Sequence, residues 1–65
     1  MNREYEIVKT WRGCELRRKN QYGKYEYLYK VYKGRYEWIS DYTYAKQMSE
    51  ATCRKHIQAL ESQSR

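Results

Sequence analysis

The run Lys24–Ser40, KYEYLYKVYKGRYEWIS, constrains the fold more than any other part of the chain. It contains no proline, and its single glycine, Gly34, stands in the middle. Apolar and aromatic residues recur at every second position, the period of a half-buried strand. Tyr25, Tyr27, Tyr29, Tyr32 and Tyr36 lie within it, with Tyr22 just upstream and Trp38 near its end. Lys33-Gly34 falls where a reversal is needed, and glycine adopts at no steric cost the positive φ that tight hairpin loops require. The pattern predicts a β-hairpin of Lys24–Tyr32 with Arg35–Ser40. A two-residue loop then sets Tyr32 opposite Arg35, Lys30 opposite Glu37, Tyr29 opposite Trp38 and Leu28 opposite Ile39. Opposite charges and aromatic pairs are favoured at such positions, each by roughly 0.2–1 kcal/mol. One face carries Tyr27, Tyr29, Val31, Tyr36 and Trp38, and is expected to hold the core. The other carries Glu26, Leu28, Lys30, Glu37 and Ile39, and its charge pair makes it the wetter face. A bulge at Gly34 would redistribute the two sets.

Upstream, Arg3–Trp11 alternates with Tyr5, Ile7, Lys9 and Trp11 on one face and Glu4, Glu6, Val8 and Thr10 on the other. Its β-branched and aromatic residues suit a strand. Arg12-Gly13 marks a turn, Cys14–Lys19 is a second, shorter strand, and Asn20–Gly23 is a polar loop. Downstream, Asp41 is placed to cap one helical turn that brings Tyr44, Ala45 and Met48 against the sheet. Ser49 caps a helix over Glu50–Ser62, where Cys53, Ile57 and Leu60 fall at i, i+4 and i+7 with His56 beside them. Glu50 suits the positive end of that helix and pairs with Arg54 one turn on. Ser62–Arg65 is expected to fray. The predicted architecture is α+β and a single domain over residues 1–65. It is an antiparallel meander of three to four strands packed by one C-terminal helix, β-β-β-β-α.

The chain has 65 residues, so it buries only about 60% of the surface its unfolded form exposes. Domains of this size often gain stability from a disulfide, a metal or a partner subunit. They leave little room for a core and a deep substrate pocket together, so no enzymatic activity, catalytic residue or cofactor is expected. Cys14 and Cys53 have no metal-ligand spacing, and the single histidine, His56, does not complete a zinc set. Buried, inert thiols are the expected state, with a disulfide as the alternative. His56 packing on a tyrosine is a simpler reading than His56 as a general base or as partner to a Cys14 nucleophile. No apolar run is long enough to span a membrane and no signal peptide is legible, so a cytoplasmic location is expected.

Fourteen Lys and Arg stand against eight Asp and Glu, a formal net charge of +6. That balance favours a polyanionic partner, nucleic acid or an acidic protein face, although it also serves solubility alone. The basic residues Arg12, Arg17, Arg18, Lys19 and Lys24 cluster within thirteen positions, opposed only by Glu15. Strand and loop placement is expected to set them along one edge or one face. Arginine grips phosphate with two parallel bonds, and lysine acts as a point charge. The alternative is a solvated edge strand whose positive charge prevents edge-to-edge pairing. Tyrosines can stack on unpaired bases. The chain has no Phe, however, so Tyr27, Tyr29 and Tyr36, with Trp38, are expected to fill the core. Tyr22, Tyr25, Tyr32 and Tyr42, nearer turns and ends, are the tyrosines left for a partner.

Gly34, then Tyr36-Glu37-Trp38-Ile39-Ser40-Asp41, Ala45-Lys46, Met48-Ser49, Ala51 and Ile57 form a rhythm over the C-terminal half. It resembles small, mostly uncharacterised proteins of bacteriophages and mobile elements. The resemblance rests on packing positions and implies a hairpin, a short turn and a capped helix, in a bacterial host. More loosely, the chain is similar to the three-strand-plus-helix DNA-binding domains at integrase N-termini and in plant AP2-type regulators, with no base-contacting residue carried over. Two functions follow as expectations. The first is a non-enzymatic module that binds DNA or RNA through Arg12, Arg17, Arg18, Lys19 and Lys24, assisted by Tyr22, Tyr25 and Tyr32. The alternative is a phage-type inhibitor or accessory protein that docks on an acidic host surface, since Tyr, Trp and Arg are enriched at binding hot spots. A stripe as narrow as Cys53, Ile57 and Leu60 covers little of an aromatic sheet face. A C2 homodimer is therefore expected, with a monomer wetted by tyrosine hydroxyls as the alternative.

Overall fold

The computed structural model describes residues 5–63. Four strands, β1 (Tyr5–Thr10), β2 (Gly13–Lys19), β3 (Tyr25–Tyr32) and β4 (Arg35–Ile39), are followed by a single 3-10 turn, Tyr42–Tyr44, and the helix α1 (Glu50–Gln63). The strands form one antiparallel sheet in the order β1-β2-β3-β4, and α1 packs on one face of it. This is the α+β meander-plus-helix expected from the sequence. The predicted first strand began at Arg3, and Arg3 and Glu4 lie outside the described residues. The helix runs to Gln63, one residue past the expected end, and Ser64 and Arg65 also lie outside them.

The β1–β2 reversal differs by one residue from its prediction. The turn is Trp11-Arg12, and Gly13 already opens β2 opposite Thr10. Gly13 has φ 144°, and a Cβ there would stand 3.4 Å from the Met48 carbonyl oxygen and 3.6 Å from the Gln47 side chain. Those are ordinary contact distances, so it is the positive φ, which L side chains rarely adopt, that calls for glycine here.

The β3–β4 hairpin closes as predicted. Lys33 and Gly34 have φ 48° and 79°, the two positive values of a type I′ loop. Tyr32 faces Arg35, and Lys30 faces Glu37. The register then shifts between Leu28 and Lys30, so that Leu28 faces Trp38 and Tyr27 faces Ile39. The expected pairs Tyr29 with Trp38 and Leu28 with Ile39 are therefore corrected: the bulge lies at Tyr29, and Gly34 sits in a regular loop. One extra residue exchanges the faces of everything before it. Leu28 turns toward α1 and is fully buried, with Val31, Tyr36 and Trp38 half-buried on its side. Tyr27 and Tyr29, expected in the core, lie outside it. The physical cause is the difference between the side chains. Leu28 has no polar atom to satisfy, whereas a buried Tyr29 hydroxyl would need a partner that solvent and Glu37 supply outside. That hydroxyl donates to Glu37 Oε1 at 3.2 Å, and the bond raises its pKa.

Where β3 bends it also leaves β2. The two strands pair only from Arg17 opposite Tyr27 to Lys19 opposite Tyr25. The segment 46–48 fills the gap as a short inserted strand. Lys46 N donates to Leu28 O, Cys14 N to Met48 O and Met48 N to Cys14 O, each at 2.8 Å. These bonds satisfy backbone groups that the splayed strands would otherwise leave unpaired. Gln47 Nε2 donates to Glu15 Oε2 at 2.7 Å, and Thr10 Oγ1 donates to Gln47 Oε1 at 3.2 Å. Glu15, only 4% exposed, is thereby buried with a partner.

Leu16, Leu28, Met48, Cys53 and Leu60 form the core, with Tyr5, Ile7, Cys14, Val31, Tyr36, Trp38 and Ile57 packed around it. Ala45 and Met48 are buried as expected, but Tyr44 is 65% exposed and does not pack against the sheet. A three-residue turn presents too little backbone to bring Tyr44, Ala45 and Met48 inward together. Asp41 caps that turn by accepting from Thr43 N at 3.0 Å and Thr43 Oγ1 at 2.7 Å, which lowers its pKa. Ser49 Oγ accepts from Thr52 N at 3.2 Å and caps α1. Glu50 meets Arg54 at 2.6 Å and Lys9 at 3.1 Å, and Arg54 is the larger cause of its lowered pKa. Both cysteines are thiols; burial, with Cys14 and Glu50 adding, pushes the Cys53 thiol up.

His56 packs edge-on against Tyr36, with ring centroids 5.4 Å apart and Nδ1 3.3 Å from the Tyr36 hydroxyl oxygen. Burial, then the charge of Lys46, lowers its pKa. The unfolded chain therefore takes up this proton first, and stability falls as pH drops from about 6.5 through the folded-state value. Glu50 and Asp41, with lowered pKa values, stay ionised across that window. Urea midpoints should be lower at pH 5.5 than at 7.5, and His56→Gln should shrink the difference. Identical differences in the two proteins would refute the assignment.

Candidate nucleic-acid interface

Alternation along the observed register divides the sheet's side chains into two sets. Tyr5, Ile7, Cys14, Leu16, Arg18, Glu26, Leu28, Val31, Tyr36 and Trp38 share the face that α1 covers. Glu6, Arg17, Lys19, Tyr25, Tyr27, Lys30, Tyr32, Arg35 and Glu37 share the other. No α-helix lies on that second face among the described residues, but the 3-10 turn packs on β3 there and Gln47 covers the buried Glu15. There Tyr42 meets Tyr27 edge-on at 6.4 Å.

β3 therefore lays Tyr25, Tyr27 and Tyr32 along the open face, with cations beside two of the three rings. The Arg17 guanidinium carbon stands 3.9 Å from the Tyr25 ring centroid, and Lys19 Nζ stands 5.4 Å from it. Lys33 and Lys30 lie 5.3 Å and 6.0 Å from the Tyr32 ring. Such contacts draw a cation to the negative face of the ring. Arg17 Nη2 also donates to Glu6 Oε2 at 2.9 Å, and that bond is the main cause of a raised Arg17 pKa. Its Nε is buried and has no hydrogen-bond partner among the described residues. Lys30 lies 4.0 Å from Glu37. Lys19, Lys33 and Arg35 have no acidic partner among the described residues.

The basic residues singled out from the sequence do not gather into one patch. Arg17 and Lys19 are on the open face with Tyr25. Arg18, between them in sequence, points to the opposite face, where its Nε donates to Glu26 Oε1 at 2.9 Å. The Arg18 guanidinium also lies 4.2 Å from the Trp38 ring, which in turn stacks on Tyr5 at 6.0 Å. Lys24 and Tyr22 belong to the β2–β3 loop at the Lys19 end. Asn20 Oδ1 holds that loop, accepting from Tyr22 N at 2.9 Å and Lys24 N at 3.0 Å, and leaves the Tyr22 ring 77% exposed. Arg12 is at the far end of β2, roughly 20 Å away at about 3.3 Å of rise per residue. It stands 5.6 Å from the Trp11 ring, and Trp11 is 92% exposed. Tyr32 shares the open face with Tyr25 but lies near the opposite end of β3.

Sequence reasoning passed over Tyr27, Tyr29, Lys30, Lys33 and Arg35 as site residues. The signal that could have found them is Leu28. It is the one purely aliphatic side chain among Tyr25, Tyr27 and Tyr29 and has the strongest claim to the core, which hands its neighbours on both sides to the other face. No family model, curated protein or solved structure matches the chain. Among the described residues, no three His, Cys, Asp or Glu side chains are placed to hold a metal ion, and no helix is long and apolar enough to cross a membrane.

Proposed function

We propose that this protein is a small, non-enzymatic nucleic-acid-binding module that takes a single strand on the open face of its sheet. The observation that carries the reading is the row Tyr25, Tyr27 and Tyr32 on the uncovered face, with Arg17, Lys19, Lys30 and Lys33 at ring distance. Unpaired bases stack on tyrosine rings whatever their identity, and neighbouring cations neutralise the phosphates between them. A duplex hides its base faces and meets the same surface through charge alone. Lys24 and Tyr22 extend the platform past the Lys19 end.

Titration of labelled single-stranded and duplex oligonucleotides of equal length at two salt concentrations tests the reading. Three or four phosphate contacts predict a slope of log affinity against log salt of about −2 to −3 on a single strand. The single strand should bind more tightly than the duplex. No binding at low salt overturns the proposal.

The exposed Trp11 and its neighbour Arg12 favour a second reading, docking on a host protein in the manner of phage inhibitors. They form a tip apart from the tyrosine row, and both residue types are enriched at protein hot spots. A stoichiometric protein recovered from nuclease-treated bacterial lysate would favour docking. Loss of every partner on nuclease treatment would favour the strand platform.

A further inference from the structure

Among the described residues the outer edge of β4 has no neighbour in the sheet order β1-β2-β3-β4. Sheet edges are usually blunted by proline, by a bulge in the edge strand or by charges of one sign. β4, Arg35–Ile39, has no proline, its register shift lies on the β3 side, and its two charges, Arg35 and Glu37, are of opposite sign. Beside it runs an open groove of about 590 Å³ between the strand and the last turns of α1, with Trp38, Tyr36, Leu60 and Gln63 among its walls.

We infer that β4 pairs antiparallel with β4 of a second copy of this chain, about a two-fold axis through Tyr36, to form one eight-stranded sheet. Side-chain charge selects that register, and the backbone phase admits it. Tyr32 and Arg35 close a two-residue loop and so form a hydrogen-bonded pair within the hairpin. Arg35 and Glu37 thus direct their backbone groups at β3, while Tyr36 and Trp38 direct theirs outward. A two-fold axis at Tyr36 lets the two copies of Tyr36 exchange both backbone bonds. It sets Arg35 of each copy opposite Glu37 of the other on the open face. It also sets Trp38 opposite Gly34 of the second copy, where nothing lies within 4 Å of the missing side chain. An axis at Glu37 puts the two carboxylates face to face. An axis at Trp38 puts Glu37 opposite Ile39. Glu37 already accepts from the Tyr29 hydroxyl, and a carboxylate has capacity for further donors.

Such an axis stands perpendicular to the sheet, so the open faces of both copies lie on the same side. The groove receives the α1-side residues of the second β4. The inference concerns the protein without nucleic acid and does not depend on the function proposed above.

Sedimentation equilibrium over micromolar to millimolar concentrations, on nuclease-treated protein with reductant present, tests it through a charge exchange. Arg35→Glu and Glu37→Arg should each weaken dimerisation by about tenfold or more, because like charges then oppose each other twice. The double variant R35E/E37R should return to within a few-fold of the parent. Circular dichroism confirms that each variant is folded. In the parent protein, amide exchange at Tyr36 and Trp38 should slow as concentration rises, a readout that needs no variant. A single-chain mass throughout, a dimer indifferent to the exchange, or no concentration-dependent protection at Tyr36 overturns the inference.

Discussion

Leu28→Ala should remove a large share of this domain's stability and lower its urea midpoint sharply, while Tyr29→Ala, one residue on, should shift that midpoint only slightly. Leu28 is fully buried at the centre of the core, between Leu16 and the helix residues Cys53 and Leu60. Truncating a buried leucine costs about 2–5 kcal/mol, the lost transfer energy plus the cavity left behind. A chain of this length holds only about 3–10 kcal/mol in total at the usual stability per residue. With Leu16, Leu28 and Cys53 as its largest fully buried side chains, the loss of one is a large fraction of that total. Tyr29 gives up an exposed hydrogen bond to Glu37 and nothing from the core. Urea denaturation followed by circular dichroism decides the matter. Had the bulge been absent, Tyr29 would face α1 and Leu28 would face solvent, so the reverse order of midpoints would sink the observed register.

The same two residues show what could be read from the sequence and what could not. The hairpin, its loop and the pairs next to it follow from local chemistry. Lys33-Gly34 supplies the two positive φ values, and the Lys30–Glu37 pair lies close enough to the loop to inherit its register. The two helix caps follow likewise, because Asp41 and Ser49 act on backbone groups two or three residues away. The bulge does not follow from alternation, because the preference of Leu28 for the core acts together with a remote segment. β3 bends where residues 46–48 wedge between it and β2, beside Gly13, whose φ of 144° suits glycine. Alternation alone cannot report an event that depends on a segment some twenty residues downstream. The face assignment of Tyr27 and Tyr29 failed with it, and the open tyrosine row stayed out of sight. For the basic cluster, adjacency in sequence was the wrong measure. Arg17 and Arg18 are neighbours in a strand and so occupy opposite faces.

That division makes the basic residues separable by experiment. Lys19→Ala should flatten the salt dependence of single-strand binding by about 0.7 units, one phosphate contact's worth. Tyr25→Ala should weaken the same binding by about 1–3 kcal/mol, the loss of one stacked base, with little change in salt slope. Arg18→Ala should leave the slope unchanged. Its guanidinium is held between Glu26 and Trp38 on the α1 side, so its loss should appear as a lower urea midpoint instead. Sequence position alone would have Arg18 and Lys19 behave alike, so the contrast between them isolates the geometry. A slope flattened equally by Arg18→Ala and Lys19→Ala would mean that the strand does not lie on the open face. Stability lost through Lys19→Ala with binding intact would instead mean that this exposed lysine serves the sheet rather than a ligand.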